Sequence, residues 1–323
     1  MTCETKIHGE NKEFDCLSMV KGVWVFHRFS ERHVMNNFRA IMLMLMAMVG
    51  FTLEDTFIKK MSGGVSLGQI LICLGIGAGI IFAVMAKSKG HVVFERRHWT
   101  PVFYARALLE GFSAIAFISA LSLVEISTVA AVFQVTPLAI TMGAALFMGE
   151  AVGWRRWAAI IVGFIGVMII IRPGASAFDP NVVLVLLAVV GVAARDLITR
   201  GLPADTPATI VSFQAYLALI AAGIVMMVFR GDSFSSLDSW QGLMMIGAII
   251  CGVVGYYGIV TAMRTGETSV IMPFRYMRLV FSLIVGFVVF HERPDMWTLL
   301  GAAIVITMGI FTVWREQVAA RQA

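Results

Sequence analysis

Long apolar stretches follow one another along the chain, separated by short polar connections. Each approaches the ~20 residues that an α-helix needs to cross the hydrocarbon core of a bilayer. The stretches span 39–58, 67–86, 101–121, 126–148, 154–171, 181–199, 208–229, 240–262, 268–290 and 296–313. The pattern therefore predicts an all-α integral membrane protein with ten transmembrane helices and no inserted soluble domain.

Charged residues are scarce, which supports a membrane location. Of 323 residues, 59% are hydrophobic and 14% are charged, and the mean hydropathy is +0.86, whereas a soluble domain is about 25% charged. The basic residues cluster at helix ends rather than on one soluble face, so the net charge of +5 does not predict nucleic-acid binding. Most tryptophans fall at segment ends, as in an interfacial belt: Trp99, Trp154, Trp157, Trp240, Trp297 and Trp314.

The residue types needed for metal, nucleotide or acyl-transfer chemistry are missing from the apolar segments. All six histidines lie outside these segments or at their edges, and the four cysteines form no CxxC pair. There is no GxxxxGK[ST] loop, which argues against ATP drive by this chain. We expect no cofactor, no metal and no catalytic residue. An integral-membrane enzyme or receptor remains the alternative function, and a channel is a weaker one.

The distribution of basic residues predicts the orientation. With the N-terminus in the cytoplasm, the inner segments hold 16 lysines and arginines and the outer loops hold 5. This bias predicts an inner-membrane protein with both termini cytoplasmic. Residues 1–37 are polar and mixed, and we expect a disordered cytoplasmic tail, with Met35 as an alternative start. Residues 315–323 form the expected C-terminal tail.

The second half of the chain repeats the first. At an offset of 142 residues, an alanine, two glutamates and a serine of one half fall on the same residue types in the other half. At an offset of 141, Gly50 and Asp55 fall on Gly191 and Asp196, and Lys59 meets Arg200. Each half holds five helices, so the two halves insert in opposite orientations. Such inverted repeats are typical of secondary transporters, with the substrate site near mid-membrane at the repeat interface.

Two motifs lie in equivalent helices of the repeats. The fourth segment holds Pro137 and is followed by Gly149-Glu150, and the ninth has "MPFRY", residues 272–276, near its start. With their flanking residues they resemble the two EamA repeats of the drug/metabolite transporter superfamily, over residues 38–172 and 181–314. The resemblance implies alternating access around a central cavity lined by helices one, three, four, six, eight and nine. It also implies transport of a small organic metabolite without ATP. Many relatives carry an arginine after a "QI" pair in the second helix, but here none follows Gln69-Ile70.

Two arginines lie deep in the ninth segment and need a protein or water environment. Arg275 and Arg278 are three residues apart, which places them on one face of a helix. Together they would cost about 5–7 kcal/mol if they faced lipid. A water-filled cavity with free arginines would attract a carboxylate or phosphate of the substrate. Pairing with internal carboxylates is the other possibility.

Several carboxylates are available for such pairing. Glu110 lies one helical turn from Arg106, so we expect these two to be neighbours, with internal pairing favoured over substrate contact. Glu54, Asp55 and Asp196 are expected as gate partners, proton carriers or substrate ligands. Arg195 is close enough to an interface to extend toward water, which argues against a functional role.

Three uncharged polar residues complete the predicted substrate site. Gln134 and Tyr276 are equivalent in the repeats, and Gln134 lies three residues before Pro137, which frees a backbone carbonyl one turn earlier. A polar patch at this level suits a cavity wall. Tyr256 could stack on a ring of the substrate or pack between helices.

Overall fold

The computed structural model describes residues 2–8, 11–20, 23–150, 152–173, 178–202, 206–265 and 271–320. Eleven α-helices are assigned within these ranges: α1 Glu31–Met61, α2 Leu67–Ser88, α3 Pro101–Leu123, α4 Ile126–Phe133, α5 Thr136–Phe147, α6 Trp154–Ile171, α7 Val182–Arg200, α8 Ala208–Arg230, α9 Ser239–Thr265, α10 Met277–Phe290 and α11 Met296–Ala320. Short 3₁₀ turns occupy Arg96–His98 and Met272–Tyr276. Three strands, β1 Thr2–His8, β2 Asn11–Val20 and β3 Val23–Ser30, precede the helices as an antiparallel sheet of order β1-β2-β3.

These helices make ten spans long and apolar enough to cross a membrane, as the hydrophobic pattern predicts. Eight are single helices. The fourth span, Ile126–Phe147, combines α4 and α5, and the ninth, Met272–Phe290, combines the second 3₁₀ turn with α10. The first three residues of the predicted ninth segment lie outside the described residues. The side chains of residues 1–36 lie outside the described part of the structure, so the disorder expected for residues 1–37 stays a prediction.

The fourth span is interrupted just before Pro137, between α4 and α5. Pro137 lies in the first turn of α5, where its missing N–H costs nothing. The Phe133 carbonyl, four residues earlier, loses its usual helical donor and accepts a hydrogen bond from Thr136 Oγ1 at 2.5 Å instead. The helix is therefore interrupted near the middle of the span without leaving the Phe133 carbonyl unpaired.

The two halves pack as an inverted repeat. Helix α1 of the first half lies along α9 of the second, and α7 of the second lies along α3 of the first. The repeat-related glycines Gly50 and Gly191 both lie in these contacts. A Cβ atom at Gly50 would approach the Cys251 carbonyl oxygen to 2.8 Å, and one at Gly191 would approach Ser113 Cβ to 2.8 Å. Glycine at both positions thus lets the paired helices approach closely.

Helix direction alternates along the chain and defines two ends of the bundle. We call the end that holds Asn37 and Arg315 the terminal face, and the opposite end, which holds Met61 and Phe290, the distal face. A large apolar core fills the bundle between them and draws residues from both halves, including Leu71, Val132 and Val305. The polar side chains described below interrupt this core at defined levels.

Candidate functional site

Arg278 and Asp55 join the two repeats near the middle of the bundle. Arg278 Nη2 donates to Asp55 Oδ2 at 2.6 Å, which links α10 to α1. Asp55 is only 6% exposed. The inward direction predicted for Arg278 is therefore found, together with a carboxylate partner from the first helix.

Three phenylalanines surround the Arg278 guanidinium. Its central carbon lies 5.3 Å from the ring centroid of Phe51, 5.7 Å from that of Phe117 and 5.6 Å from that of Phe133. These distances are in the range of cation–π attraction. A small cavity of about 10 Å³ lies beside the ion pair and is lined in part by Gln134. That volume is enough for roughly one water molecule, so this site is nearly closed in the present conformation.

Arg275 is in a different local structure from Arg278. It belongs to the 3₁₀ turn Met272–Tyr276, whereas Arg278 lies in the first turn of α10. The single helical face predicted for the two arginines is therefore interrupted between them. The Arg275 guanidinium contacts Met272 Sδ at 3.9 Å, and no carboxylate among the described residues lies within the 4 Å of an ion pair. Asp196 is near enough to interact with it electrostatically.

The repeat-related pair Gln134 and Tyr276 meets at the repeat interface. Gln134 Nε2 donates to the main-chain carbonyls of Arg275 and Tyr276, both at 3.4 Å. The Tyr276 side chain packs toward Gly309 of α11, where an added Cβ would overlap its hydroxyl. Gln134 thus binds the 3₁₀ turn of the ninth span from the other repeat. The role of both residues in substrate binding stays a prediction.

Four charged residues form a chain between α3 and α7. Arg106 Nη2 lies 3.4 Å from Glu110 Oε2, and Glu110 Oε1 accepts from Arg195 Nη1 at 2.7 Å. Arg195 also donates to Asp196 Oδ1 from Nε at 2.9 Å and from Nη2 at 2.8 Å. The predicted proximity of Arg106 and Glu110 is confirmed. Arg106 is 3% exposed and its Nη1 has no hydrogen-bond partner in the described structure.

The expectation for Arg195 is wrong. Its side chain is 19% exposed and binds two carboxylates instead of extending to an interface. The physical reason is that Glu110 of α3 faces this turn of α7, and an ion pair at 2.7 Å satisfies the guanidinium better than a long reach to water. Its place opposite Glu54 in the repeat offset is a signal that could have indicated an inward side chain.

A larger cavity, of about 220 Å³, lies near the terminal face between α2, α8 and α9. Its walls include Phe82, Tyr256 and Tyr257, and Lys89 and His91 also line it. Tyr256 packs edge-on to Phe82 at 5.7 Å between ring centroids. Thr209 also lines this cavity, is 8% exposed, and its hydroxyl has no hydrogen-bond partner among the described residues. Tyr256 is thus both a packing residue and a cavity wall.

Glu54 points toward the α9 side of α1. A Cβ atom at Gly252 would lie 2.5 Å from Glu54 Oε1, so the carboxylate rests directly on the α9 backbone. The neighbouring Asp55 instead faces Arg278. The two adjacent carboxylates predicted for gating or proton carriage therefore point to different neighbours of the first helix, Glu54 to α9 and Asp55 to α10.

A polar cluster that the sequence patterns did not predict lies at the distal face, although the repeat offsets include its members. Glu292 Oε1 accepts from the Ile126 N–H at 2.8 Å, and its Oε2 accepts from the Ser127 N–H at 3.1 Å and the Ser127 hydroxyl at 2.6 Å. Lys59 Nζ donates to the carbonyls of Leu121, at 3.1 Å, and Val124. Lys59 Nζ also lies 3.9 Å from Glu292 Oε1.

Two further carboxylates at this face lie outside the spans. Partial burial, followed by the charge of Glu292, raises the pKa of Glu125 above its ordinary value, with Lys59 acting in the opposite direction. Burial alone would raise the pKa of Asp295, but hydrogen bonds from Thr298 and the nearby Arg172 outweigh it and lower that pKa. Arg172 Nη2 lies 2.5 Å from Asp295 Oδ2.

Ten apolar spans, an inverted repeat and acidic and basic side chains enclosed between the halves define a multi-pass membrane protein with a polar centre. Within the described residues, no three histidine, cysteine or acidic side chains are grouped to hold a metal ion. The chain matches the EamA-like transporter family over residues 38–172 and 180–315. It belongs to that family.

Named relatives of the chain are transporters of different compounds. It is 27% identical to the S-adenosylmethionine uptake transporter of Rickettsia conorii, over 67% of this chain and 72% of the relative. It is 26% identical to the riboflavin transporter of Rhizobium johnstonii, over 74% of this chain and 79% of the relative. It is 21% identical to the pseudopaline exporter CntI of Pseudomonas aeruginosa strain UCBPP-PA14, over 82% of this chain and 93% of the relative.

A solved crystal structure has the same fold. It superposes with a TM-score of 0.58 at 18% sequence identity, covering 88% of this chain and 97% of the other. Family membership and the names of the relatives indicate membrane transport of small metabolites rather than an enzyme.

Proposed function

We propose that the chain is a secondary-active transporter that carries a small, partly anionic organic metabolite across the inner membrane by alternating access. The inverted repeat supports this proposal, because such repeats exchange access between the two faces by rocking around a central site. The excess of basic residues at the terminal face supports the cytoplasmic placement of both termini.

The surroundings of Arg275 are the observation that supports an anionic group on the substrate. Its side chain is half-buried at the level where the repeats meet. No carboxylate among the described residues lies within 4 Å of its guanidinium. A guanidinium in this position is costly unless an anion joins it for part of the cycle. A carboxylate or phosphate of the substrate would supply that anion and bind its planar donors in pairs.

Arg278 is the second proposed contact. It is paired with Asp55, so a substrate anion would compete with that carboxylate for the guanidinium. Protonation of Asp55 would free Arg278 for the substrate, which provides a route for proton coupling. Gln134 and Tyr276 at the same level are proposed as further contacts with the substrate. Arg106, whose Nη1 has no hydrogen-bond partner in the described structure, is a weaker candidate because it already pairs with Glu110.

The larger cavity at the terminal face is proposed as the approach to this site. Its aromatic wall, Phe82, Tyr256 and Tyr257, suits a planar ring, and Lys89 at its mouth suits a negative charge. S-adenosylmethionine and riboflavin, named for two of the relatives, both contain aromatic ring systems. We therefore propose a substrate that combines a ring with an anionic group.

Counterflow in proteoliposomes tests the proposal. Vesicles loaded with an unlabelled compound should accumulate the same radiolabelled compound transiently and saturably. A panel that pairs ring-bearing anions with ring-free anions and uncharged rings would identify the chemical class. Protein-free vesicles and the Arg275→Gln variant are the controls.

The alternative is an integral-membrane enzyme or receptor without transport activity. A receptor would bind a compound of the panel without counterflow, and an enzyme would convert it chemically. Either result, obtained with folded protein, would overturn the transport proposal.

A further inference from the structure

Glu292 connects the end of one repeat to the start of a helix in the other. It follows α10 at the distal face and is 8% exposed. Its carboxylate receives the N–H groups of Ile126 and Ser127, the first two residues of α4, together with the Ser127 hydroxyl. These backbone donors have no partner inside their own helix, and a carboxylate at a helix N-terminus is also favoured by the helix dipole.

Lys59 completes the connection from the other side of the hairpin between α3 and α4. Its ammonium group binds the Leu121 and Val124 carbonyls, at the end of α3, and lies 3.9 Å from Glu292 Oε1. The turn between α3 and α4 is therefore held by a cation on its α3 side and by an anion on its α4 side. Glu292 comes from the opposite repeat.

Gly286 leaves room for the connection. A Cβ atom there would lie 2.7 Å from Glu292 Oε2 and closer still to Ser127 Oγ. Any larger residue at this position in α10 would push the serine and the glutamate apart. The close approach of α10 to the N-terminus of α4 thus depends on this glycine.

We infer that Glu292, with Lys59 beside it, is the distal gate of the transport cycle. Its bonds to the N-terminus of α4 hold the distal face closed and break when that face opens. The inference rests on the proposed transport function, because alternating access requires the distal ends of the two repeats to separate. The small cavity beside Arg278, lined by Ile126 and Ala130, lies next to this gate and would become accessible when it opens.

The repeat provides a matched control at the other end of the bundle. Glu150 lies 142 residues before Glu292 and follows α5 at the terminal face. Both residues close the same kind of helix end: the Glu292 N–H donates to the Gly286 carbonyl at 2.9 Å, and the Glu150 N–H donates to the Ala144 carbonyl at 3.2 Å. Glu150→Gln therefore makes the same chemical change after the same backbone turn, at the opposite end of the bundle from the distal gate.

Accessibility of a single cysteine tests the inference. Ala130→Cys would be introduced into a protein in which the native cysteines are replaced, and labelled with a membrane-impermeant thiol reagent from the distal side. Glu292→Gln should raise the labelling rate about tenfold, because it removes hydrogen bonds to a charged group. Ser127→Ala, which removes only one bond, should give a smaller increase, and Glu292→Asp should partly restore slow labelling.

Glu150→Gln should leave distal labelling at or below the rate of the parent protein. An unchanged rate in both Glu292→Gln and Ser127→Ala, with monodisperse protein, would overturn the gate and leave a static helix cap. If Glu292→Gln fails to fold, the Ser127→Ala result decides. Counterflow of the same variants separates this outcome from failure of the transport proposal, because labelling needs no substrate.

Discussion

The guanidinium of Arg278 binds the carboxylate of Asp55 at 2.6 Å, although the two residues are 223 positions apart in the chain. The pair crosses from the second repeat to the first and is enclosed by three aromatic rings. Breaking a buried pair by removing one partner is far more costly than replacing both, because a single charge is left uncompensated. Comparing the stability of the single and double variants therefore measures how strongly the two residues depend on each other.

Neutralising Asp55 should uncouple transport from the proton gradient. In Asp55→Asn, Arg278 keeps its charge and can still bind an anion, so counterflow should persist while uphill accumulation is lost. Uptake driven by an imposed pH gradient, compared with counterflow in the same vesicles, measures this. If single amide substitutions of Glu54, Asp55, Glu110 and Asp196 all still concentrate the substrate, proton carriage by these residues is excluded.

Arg275 and Arg278 should respond differently to substitution. Arg275→Gln should weaken substrate binding at least about tenfold, as expected for loss of a charge-assisted hydrogen bond, with little change in melting temperature. Arg278→Leu should lower the free energy of unfolding by about 3–5 kcal/mol, and Asp55→Asn should restore most of it. Thermal unfolding and equilibrium binding of the compound found by counterflow measure both effects. Unchanged affinity in Arg275→Gln and in Arg278→Lys would contradict anion binding by these residues.

The charged chain between α3 and α7 should be mainly structural. Glu110 bridges Arg106 and Arg195, so Glu110→Gln leaves two arginines without that carboxylate. The free energy of unfolding should fall by about 3–5 kcal/mol. Adding Arg195→Gln should recover part of the loss. A Glu110→Gln protein as stable as the parent would show that the chain contributes little.

Glu125 should make stability at the distal face depend on pH. Its pKa is raised in the folded protein, chiefly by burial and then by Glu292, so its ionised form opposes folding. That penalty is absent below the ordinary pKa of about 4.3 and fully developed above the raised one. Glu125→Gln should therefore raise the melting temperature slightly at pH 8 and leave it unchanged near pH 4. A gain that is independent of pH would contradict this origin.

Residues before the first span should be dispensable. No apolar periodicity precedes Phe38, so a protein that starts at Met35 should insert and transport like the full chain. Membrane fractionation and counterflow of the truncated protein test this. Loss of insertion would assign a role to the tail.

The sequence predicts the spans and the repeat well, because both depend on local composition and regular spacing. The freed carbonyl before Pro137 is predicted for the same reason: proline removes one donor at a known distance along the chain. The interruption between Arg275 and Arg278 is harder to predict, because Pro273 permits either a helix or a tighter turn. The choice there depends on Gln134, which binds two carbonyls of that turn from the other repeat.

The pairing of side chains is the part that sequence alone does not determine. Arg195 can reach an interface or an internal carboxylate, and the choice depends on Glu110, which lies 85 positions earlier. Glu292 and Ser127 are likewise brought together only by the packing of α10 against α4. The repeat offsets identify these residues as equivalent to others, but they do not show which residue each one contacts.

Gln134 and Tyr276 occupy equivalent positions, yet one binds across the repeat interface and the other packs toward α11. If both positions held the same residue, a substrate would meet the same chemical group on each half of the site. In this chain the two equivalent positions hold different residues. In the proposed transport cycle, a substrate would meet an amide on one half and a phenol on the other, so loading and unloading at the two faces would follow unequal kinetics.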